Sequence, residues 1–141
     1  MSYQELINAA KLQVIAFNEK DWDKYRNSVT TDFVYDEAAT HRKLVGINQV
    51  LEGLQGWGSA FPDSHATFEN EFTDGKRVVL ELTWRGKNTG SLQTPDGEIP
   101  ATGMSIEMRA CEIVEIENGK AKSVHHYFDM MTMMKQMGVV K

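Results

Sequence analysis

The sequence predicts an α+β domain in which a curved antiparallel sheet wraps around N-terminal helices. Three observations predict it. Apolar residues recur at helical spacing up to about residue 62, the period changes to two after residue 63, and Asp74-Gly75, Asp96-Gly97 and Asn118-Gly119 cut the second half at hairpin positions. Helices first and a meander of strands afterwards build layers, with the helices on one face of the sheet.

In the first segment Tyr3, Leu6, Ile7, Ala10, Val14 and Phe17 form one apolar stripe of a helix. Asp21 opens a shorter helix with Trp22, Tyr25 and Val29 on its apolar edge, and residues 30–32 break it before a short strand over Phe33, Val34, Tyr35 and Asp36. Helical spacing returns from Gly46 with Ile47, Val50, Leu51, Leu54, Trp57 and Phe61, against the low helix propensity of Gly53, Gly56 and Gly58. Pro62 and Asp63 stop it. Strands are then expected over 64–73, 76–85, a broken stretch 91–99, 103–117 and 120–127. Fifteen residues from Gly103 would reach about 50 Å if straight, so that strand must bend and the sheet must curve. A sheet curled around helices leaves a conical gap lined by inward side chains, the default place for a ligand.

The chain has 141 residues, 41% of them hydrophobic, enough for one domain over 1–141 with a core that needs no metal or disulfide. Fifteen Lys and Arg against twenty Asp and Glu give a net charge of -5, and the basic residues are scattered, which argues against a nucleic-acid partner. Cys111 is the one cysteine and fits a reducing compartment. Glu5 and Lys11 interrupt what would be the apolar region of a signal peptide, and no run approaches the roughly 18 apolar residues of a membrane span. A soluble cytoplasmic protein with no membrane association is expected.

On the long strand the even positions Met104, Ile106, Met108, Ala110, Glu112, Val114 and Ile116 share one face, where a single carboxylate interrupts an apolar surface. Burial there would raise the Glu112 pKa and make it an acid at neutral pH. The opposite face, with Glu107, Arg109, Cys111 and Glu115, suits solvent or a second copy of the chain. In the last strand His125 and His126 must point to opposite faces, so they cannot jointly hold a metal. Either histidine, or Asp129 where the strand ends, could move a proton at a pocket mouth. Asp36 could face the gap from the helix side. Trp57, Phe61 and Trp84 are candidates for core or ligand wall, and Met130, Met131, Met133, Met134 and Met137 for core, lid or dimer arm. Phosphate loops and the GxSxG turn of serine hydrolases are absent.

The order of elements, together with Trp57, Ala60-Phe61-Pro62-Asp63, the run VVLELTWRG from Val78, Asn118-Gly119-Lys120, Tyr127-Phe128-Asp129 and Lys135-Gln136-Met137-Gly138, resembles the SnoaL-like polyketide cyclase or ester cyclase family of the NTF2-like fold. The resemblance implies a cone-shaped α+β fold and intramolecular aldol chemistry by an acidic residue, with no metal and no cofactor. It places the acid and base around His126 and Asp129, puts Glu112 where relatives carry a pocket carboxylate, and puts Asp36 where the related ketosteroid isomerases carry their base. Asn88 stands where many relatives carry His. It also implies a homodimer paired through the exposed sheet face.

Two functions follow as expectations. The first is a cofactor-free enzyme that abstracts a proton beside a carbonyl in a small apolar substrate, with Asp129 or His126 as base and Glu112 as the neutral donor. Trp57, Phe61, Trp84 and Met108 would shape the wall, with Tyr35 and His125 completing the binding set. The second is a non-catalytic small-molecule-binding or assembly module, since one fold hosts many functions. NTF2-like epoxide hydrolysis ranks below both, because Arg109 is expected to face away from the pocket.

Overall fold

The computed structural model describes residues 1–94 and 96–140; Pro95, within the expected stretch 91–99, and Lys141 lie outside the described residues. Ser2 starts α1 (Tyr3–Glu19) by accepting the Glu5 N–H at 3.1 Å, and Lys20 ends it in the left-handed region at φ 55°. Leu6, Ala10, Val14 and Phe17 of the expected stripe are buried, while Tyr3 at its start is exposed. Asp21 caps α2 (Trp22–Ser28) by accepting the Lys24 N–H. Val29, expected on that helix, instead begins β1 (Val29–Glu37), which runs through 30–32. The successive β-branched residues Val29, Thr30 and Thr31 favour extended backbone and account for the difference.

After a short turn at Ala38–Thr40 the chain returns as β2 (Arg42–Val45), a strand too short for its alternation to stand out in the sequence. Gly46, at φ 86°, turns it into α3 (Ile47–Ala60). Then come β3 (His65–Thr73), β4 (Arg77–Lys87), the small hairpin of β5 (Leu92–Thr94) and β6 (Gly97–Ile99), β7 (Ser105–Glu117) and β8 (Lys120–Phe128). The last helix is α4 (Met130–Met137), whose C-terminus is closed by Gly138 at φ 78°.

Six strands form one sheet in the order β2-β1-β8-β7-β4-β3. It is mixed rather than wholly antiparallel, because β1 and β8 run parallel. The cause is α3, which carries the chain from the β2 edge to the opposite edge; the meander β3-β4-β7-β8 then returns to β1 pointing the same way. Register shifts between Phe68 and Asn70 and between Glu115 and Ile116 mark bulges, which add bend and twist to the long strands.

Ala10 and Val14 of α1, Val50 of α3, and Phe33, Val78, Leu80, Val114 and Val124 of the sheet are buried and belong to one core. A second cluster joins Met133 and Met137 to Ala60, Phe61, Leu92, Ile106 and Met108. Of the methionine-rich tail, Met133 and Met137 therefore pack as core where α4 crosses β7, while Met131 is exposed; burying each of those two stabilises by roughly 2 kcal/mol. Trp57, Trp84 and Phe128 pack against both clusters, and a cavity lies among residues of the two.

Candidate active site

The cavity has a volume of about 70 Å³, several times the ~10–15 Å³ that one water needs. Its wall is mostly apolar: Phe17 from α1, Leu54, Trp57 and Phe61 from α3 and its end, Trp84 and Met108 from the sheet. Into that wall the strand register sets a polar row. Glu112 of β7 lies opposite His126 of β8, and His126 lies opposite Glu37 of β1, so three ionisable side chains stand side by side on the cavity face.

Glu112 is 2% exposed. Gln13 Nε2 donates to its Oε1 at 2.7 Å and also to the Ala10 carbonyl at 3.0 Å, while Gln13 Oε1 accepts from Tyr25 Oη at 3.5 Å. Both amide protons of Gln13 are thereby committed, which fixes the amide orientation. Burial pushes the Glu112 carboxyl up to about 7, against the Gln13 hydrogen bond that pulls it down. Oε2 accepts from no protein donor among the described residues.

His126 is buried with Tyr35 Oη at 2.6 Å from Nδ1 and Trp84 Nε1 donating to Nε2 at 3.3 Å. Burial pushes its pKa down to about 3, so the ring is neutral at physiological pH. Tyr25 and Tyr35 are both held well above the usual phenol range, first by burial and then by the Glu112 charge; they are hydroxyls rather than phenolates. Glu37 uses both oxygens as acceptors: Oε2 from Trp57 Nε1 at 3.1 Å, Oε1 from Thr40 Oγ1 at 2.7 Å and from Arg42 Nη2 at 3.4 Å. It anchors the Trp57 ring in the wall.

The structure brings Glu112, His126, Tyr35, Trp57, Phe61, Trp84 and Met108 together on the cavity. It places three candidates elsewhere. Asp129 is exposed and caps α4, with Oδ1 accepting from Met131 N–H at 3.0 Å and Oδ2 from Thr132 Oγ1 at 2.9 Å. The Thr132 hydrogen bonds hold its carboxyl below the usual range, the opposite of what a base at neutral pH needs. Asp36 and His125 are register partners on the outer face, 3.6 Å apart and 39% and 43% exposed. Alternation is the reason: the neighbours Tyr35, Glu37 and His126 take the inner positions. Arg109 is exposed on that outer face. Asn88 is buried and satisfied, donating to the Ala60 and Gly90 carbonyls and accepting from Thr102, so it is a structural clamp.

Gln13 and Glu37 were not foreseen. Gln13 is a polar residue inside the α1 stripe, three after Ala10 and four before Phe17, and that interruption was a readable signal. Glu37 follows from the parity of Phe33 and Tyr35 once the strand is extended by one residue.

A cone of helices and mixed sheet, closed by a short C-terminal helix around a buried carboxylate, has a counterpart in sequence, since residues 8–137 match the SnoaL-like polyketide cyclase description. The chain belongs to this family. No curated protein matches it in sequence. Solved structures similar to this SnoaL-like chain include AclR from Streptomyces galilaeus, described as a candidate hydroxylase, at 18% identity and TM-score 0.83 over 99% of this chain and 100% of that one. A candidate polyketide cyclase from Xanthomonas campestris pv. campestris matches at 18% identity and TM-score 0.82 over 95% and 97%. A hypothetical protein of ketosteroid isomerase-like fold from Catenulispora acidiphila, in complex with trimethylamine, matches at 14% identity and TM-score 0.77 over 92% of each chain. These likenesses show the NTF2-like fold that this SnoaL-like chain shares; their descriptions differ, so the reaction has to be argued from the cavity. Among the described residues no group of three His, Cys, Asp or Glu is placed to hold a metal, and no helix is long and apolar enough to cross a membrane.

Proposed function

We propose that this SnoaL-like chain is an acid–base enzyme acting on a small, largely apolar carbonyl or ester compound, with Glu112 as the group that takes and returns the proton. The observation that carries the reading is a carboxyl with a pKa of about 7 inside an apolar cavity, one oxygen held by Gln13 and the other free. A group with a pKa near the working pH is populated in both forms, which is what proton abstraction and return require. Asp129 is outside the cavity, and His126 has both ring nitrogens engaged, which leaves Glu112 as the base.

The step balances without a further reagent. Ionised Glu112 removes a proton from the carbon beside a carbonyl, the C–H pair becomes the enolate, and the carboxylic acid so formed holds the proton. The enolate carbon then attacks a second carbonyl of the same molecule, a C–C bond forms, and Glu112 returns the proton to the new alkoxide. The proposal extends to a homodimer through the outer sheet face, where Glu69, Glu81 and Glu107 lie among Arg85 and Arg109; sedimentation of the purified protein tests it.

The test of the chemistry is deuterium exchange from D₂O into the α-carbon of 2-tetralone, a bicyclic ketone, followed by NMR. The protein is expected to accelerate exchange with a rate that rises through about pH 7, as Glu112 ionises. Glu112→Gln is expected to lose roughly 10²- to 10⁴-fold of the acceleration. Equal rates in the two proteins would overturn the assignment.

A further inference from the structure

We propose that Tyr35 Oη is the hydrogen-bond donor that meets the oxygen of a bound carbonyl compound, and that Trp84 prepares it by fixing the tautomer of His126. The inference rests on the acid–base reading for the identity of the ligand, but its geometry stands on three side chains in contact.

An indole N–H can only donate, so His126 Nε2, which receives the Trp84 hydrogen bond at 3.3 Å, must be the bare nitrogen. In a neutral imidazole the other nitrogen then carries the proton. His126 Nδ1–H therefore donates to Tyr35 Oη across 2.6 Å, and the tyrosine accepts. The opposite tautomer would set two N–H donors against each other in a buried site and leave both unsatisfied, at a cost of about 1–3 kcal/mol for each group. Burial between the rings of Tyr35, Trp84 and Phe128 keeps the imidazole neutral, so no second proton intervenes.

The consequence falls on Tyr35. Its oxygen is already accepting from His126, and among the described residues no protein acceptor lies within hydrogen-bond reach of its own proton. Tyr35 is 3% exposed and lines the cavity, so the hydroxyl proton is a buried donor whose partner must come from within that space. An enolate or carbonyl oxygen supplies the missing acceptor, and the donor is aimed before the ligand arrives. Tyr35 would touch the ligand; His126 and Trp84 act through it as positioning residues. Glu112, on the strand next to His126, would then work on the carbon side of the same carbonyl.

Two measurements test this, and neither needs turnover. The first is the ¹⁵N NMR signature of the His126 ring. Protonated Nδ1 with bare Nε2 is expected in the native protein, and Trp84→Phe is expected to release that preference, giving a mixture of tautomers. Protonated Nε2 in the native protein, or an unaltered tautomer in Trp84→Phe, overturns the role given to Trp84. The second is binding of 2-naphthol, a planar apolar probe whose oxygen stands in for an enolate, followed by its fluorescence. Tyr35→Phe is expected to weaken it by roughly ten- to a hundredfold. Equal binding by the two proteins, including binding to neither, overturns the donor role. A protein that passes both yet exchanges no deuterium into 2-tetralone would fail the proposed reaction and leave this inference standing.

Discussion

Two neighbouring rows differ by one residue in chain position on β1 and β8 and by everything in their environment; on β7 the inner row has Glu112 and the outer one Ile113. On the inner face Glu37, His126 and Glu112 stand in register; one step along, Asp36 and His125 stand in register on the outer face. On β1 and β8 the residue types are nearly the same. Outside, the pair is more than a third exposed, and water screens it. Inside, burial moves Glu112 up to about 7 and His126 down to about 3. The sheet's alternation, more than the presence of acids and histidines, decides which of these groups are taken out of water and shifted in pKa.

The largest expected effect of that difference is acid lability from His126. Its folded pKa of about 3 lies below the ordinary 6.5, so between those values the unfolded chain binds a proton that the native chain does not. The stability it contributes is present above pH 6.5 and is lost as pH falls toward about 3, by roughly 5 kcal/mol in all. Urea titrations from pH 7 to 4 should show it, and His126→Gln should flatten that limb. His125→Gln, on the outer row, should leave it alone. If both variants behaved alike, the inside–outside contrast would fail.

Glu112 gives the next effect, with the opposite sign. Its folded pKa of about 7 lies above the ordinary 4.5, so in that window the native chain holds the extra proton. Its contribution is complete below pH 4.5 and is lost as pH rises through about 7, by roughly 3 kcal/mol. Glu112→Gln should remove this slope and be more stable relative to the native chain at pH 8 than at pH 4.5, read from the same titrations.

How much of this the sequence disclosed follows the same parity. The helices, the hairpin turns and the inward face of β7 were legible because their apolar periods are long, and that is why Glu112 could be placed from its even-numbered neighbours, of which Ile106, Met108, Ala110 and Val114 are buried while Met104 lies before the strand and is exposed. Residues near element ends were not. Asp36 was set against the cavity because the strand expected over 33–36 falls four residues short at its start and one at its end, and Asp129 because a carboxylate after a strand is indistinguishable in sequence from a helix cap. The parallel pairing of β1 with β8 depends on where α3 delivers the chain, a long-range outcome with no local sequence mark. The hydrogen bonds that set the proton positions, Gln13 to Glu112 and Trp84 to His126, join residues 99 and 42 positions apart, beyond any motif.

A smaller effect belongs to Asp129. As the cap of α4 it satisfies the N–H groups of Met131 and Thr132, and the helix it starts buries Met133 and Met137. Asp129→Ala should lower the melting temperature by roughly 3 °C while leaving 2-tetralone exchange unchanged. A loss of exchange comparable to that of Glu112→Gln would return Asp129 to the catalytic role that its exposure argues against.

The smallest effect is expected from the outer pair itself. Asp36 and His125 are 3.6 Å apart, but both remain in contact with water, and the long-range attraction is screened further by salt. A double-mutant cycle of Asp36→Asn and His125→Gln should yield a coupling of about 0.5 kcal/mol or less at pH 6, shrinking as salt is added. The reason is the one that separates the two rows. An exposed carboxylate and imidazole exchange hydration for each other at little gain, whereas the inner groups have no hydration to recover and must use Gln13, Tyr35 and Trp84 instead. A coupling of several kcal/mol, insensitive to salt, would mean that the outer face is shielded from solvent in the protein as it exists in solution, and would point to a second chain covering it.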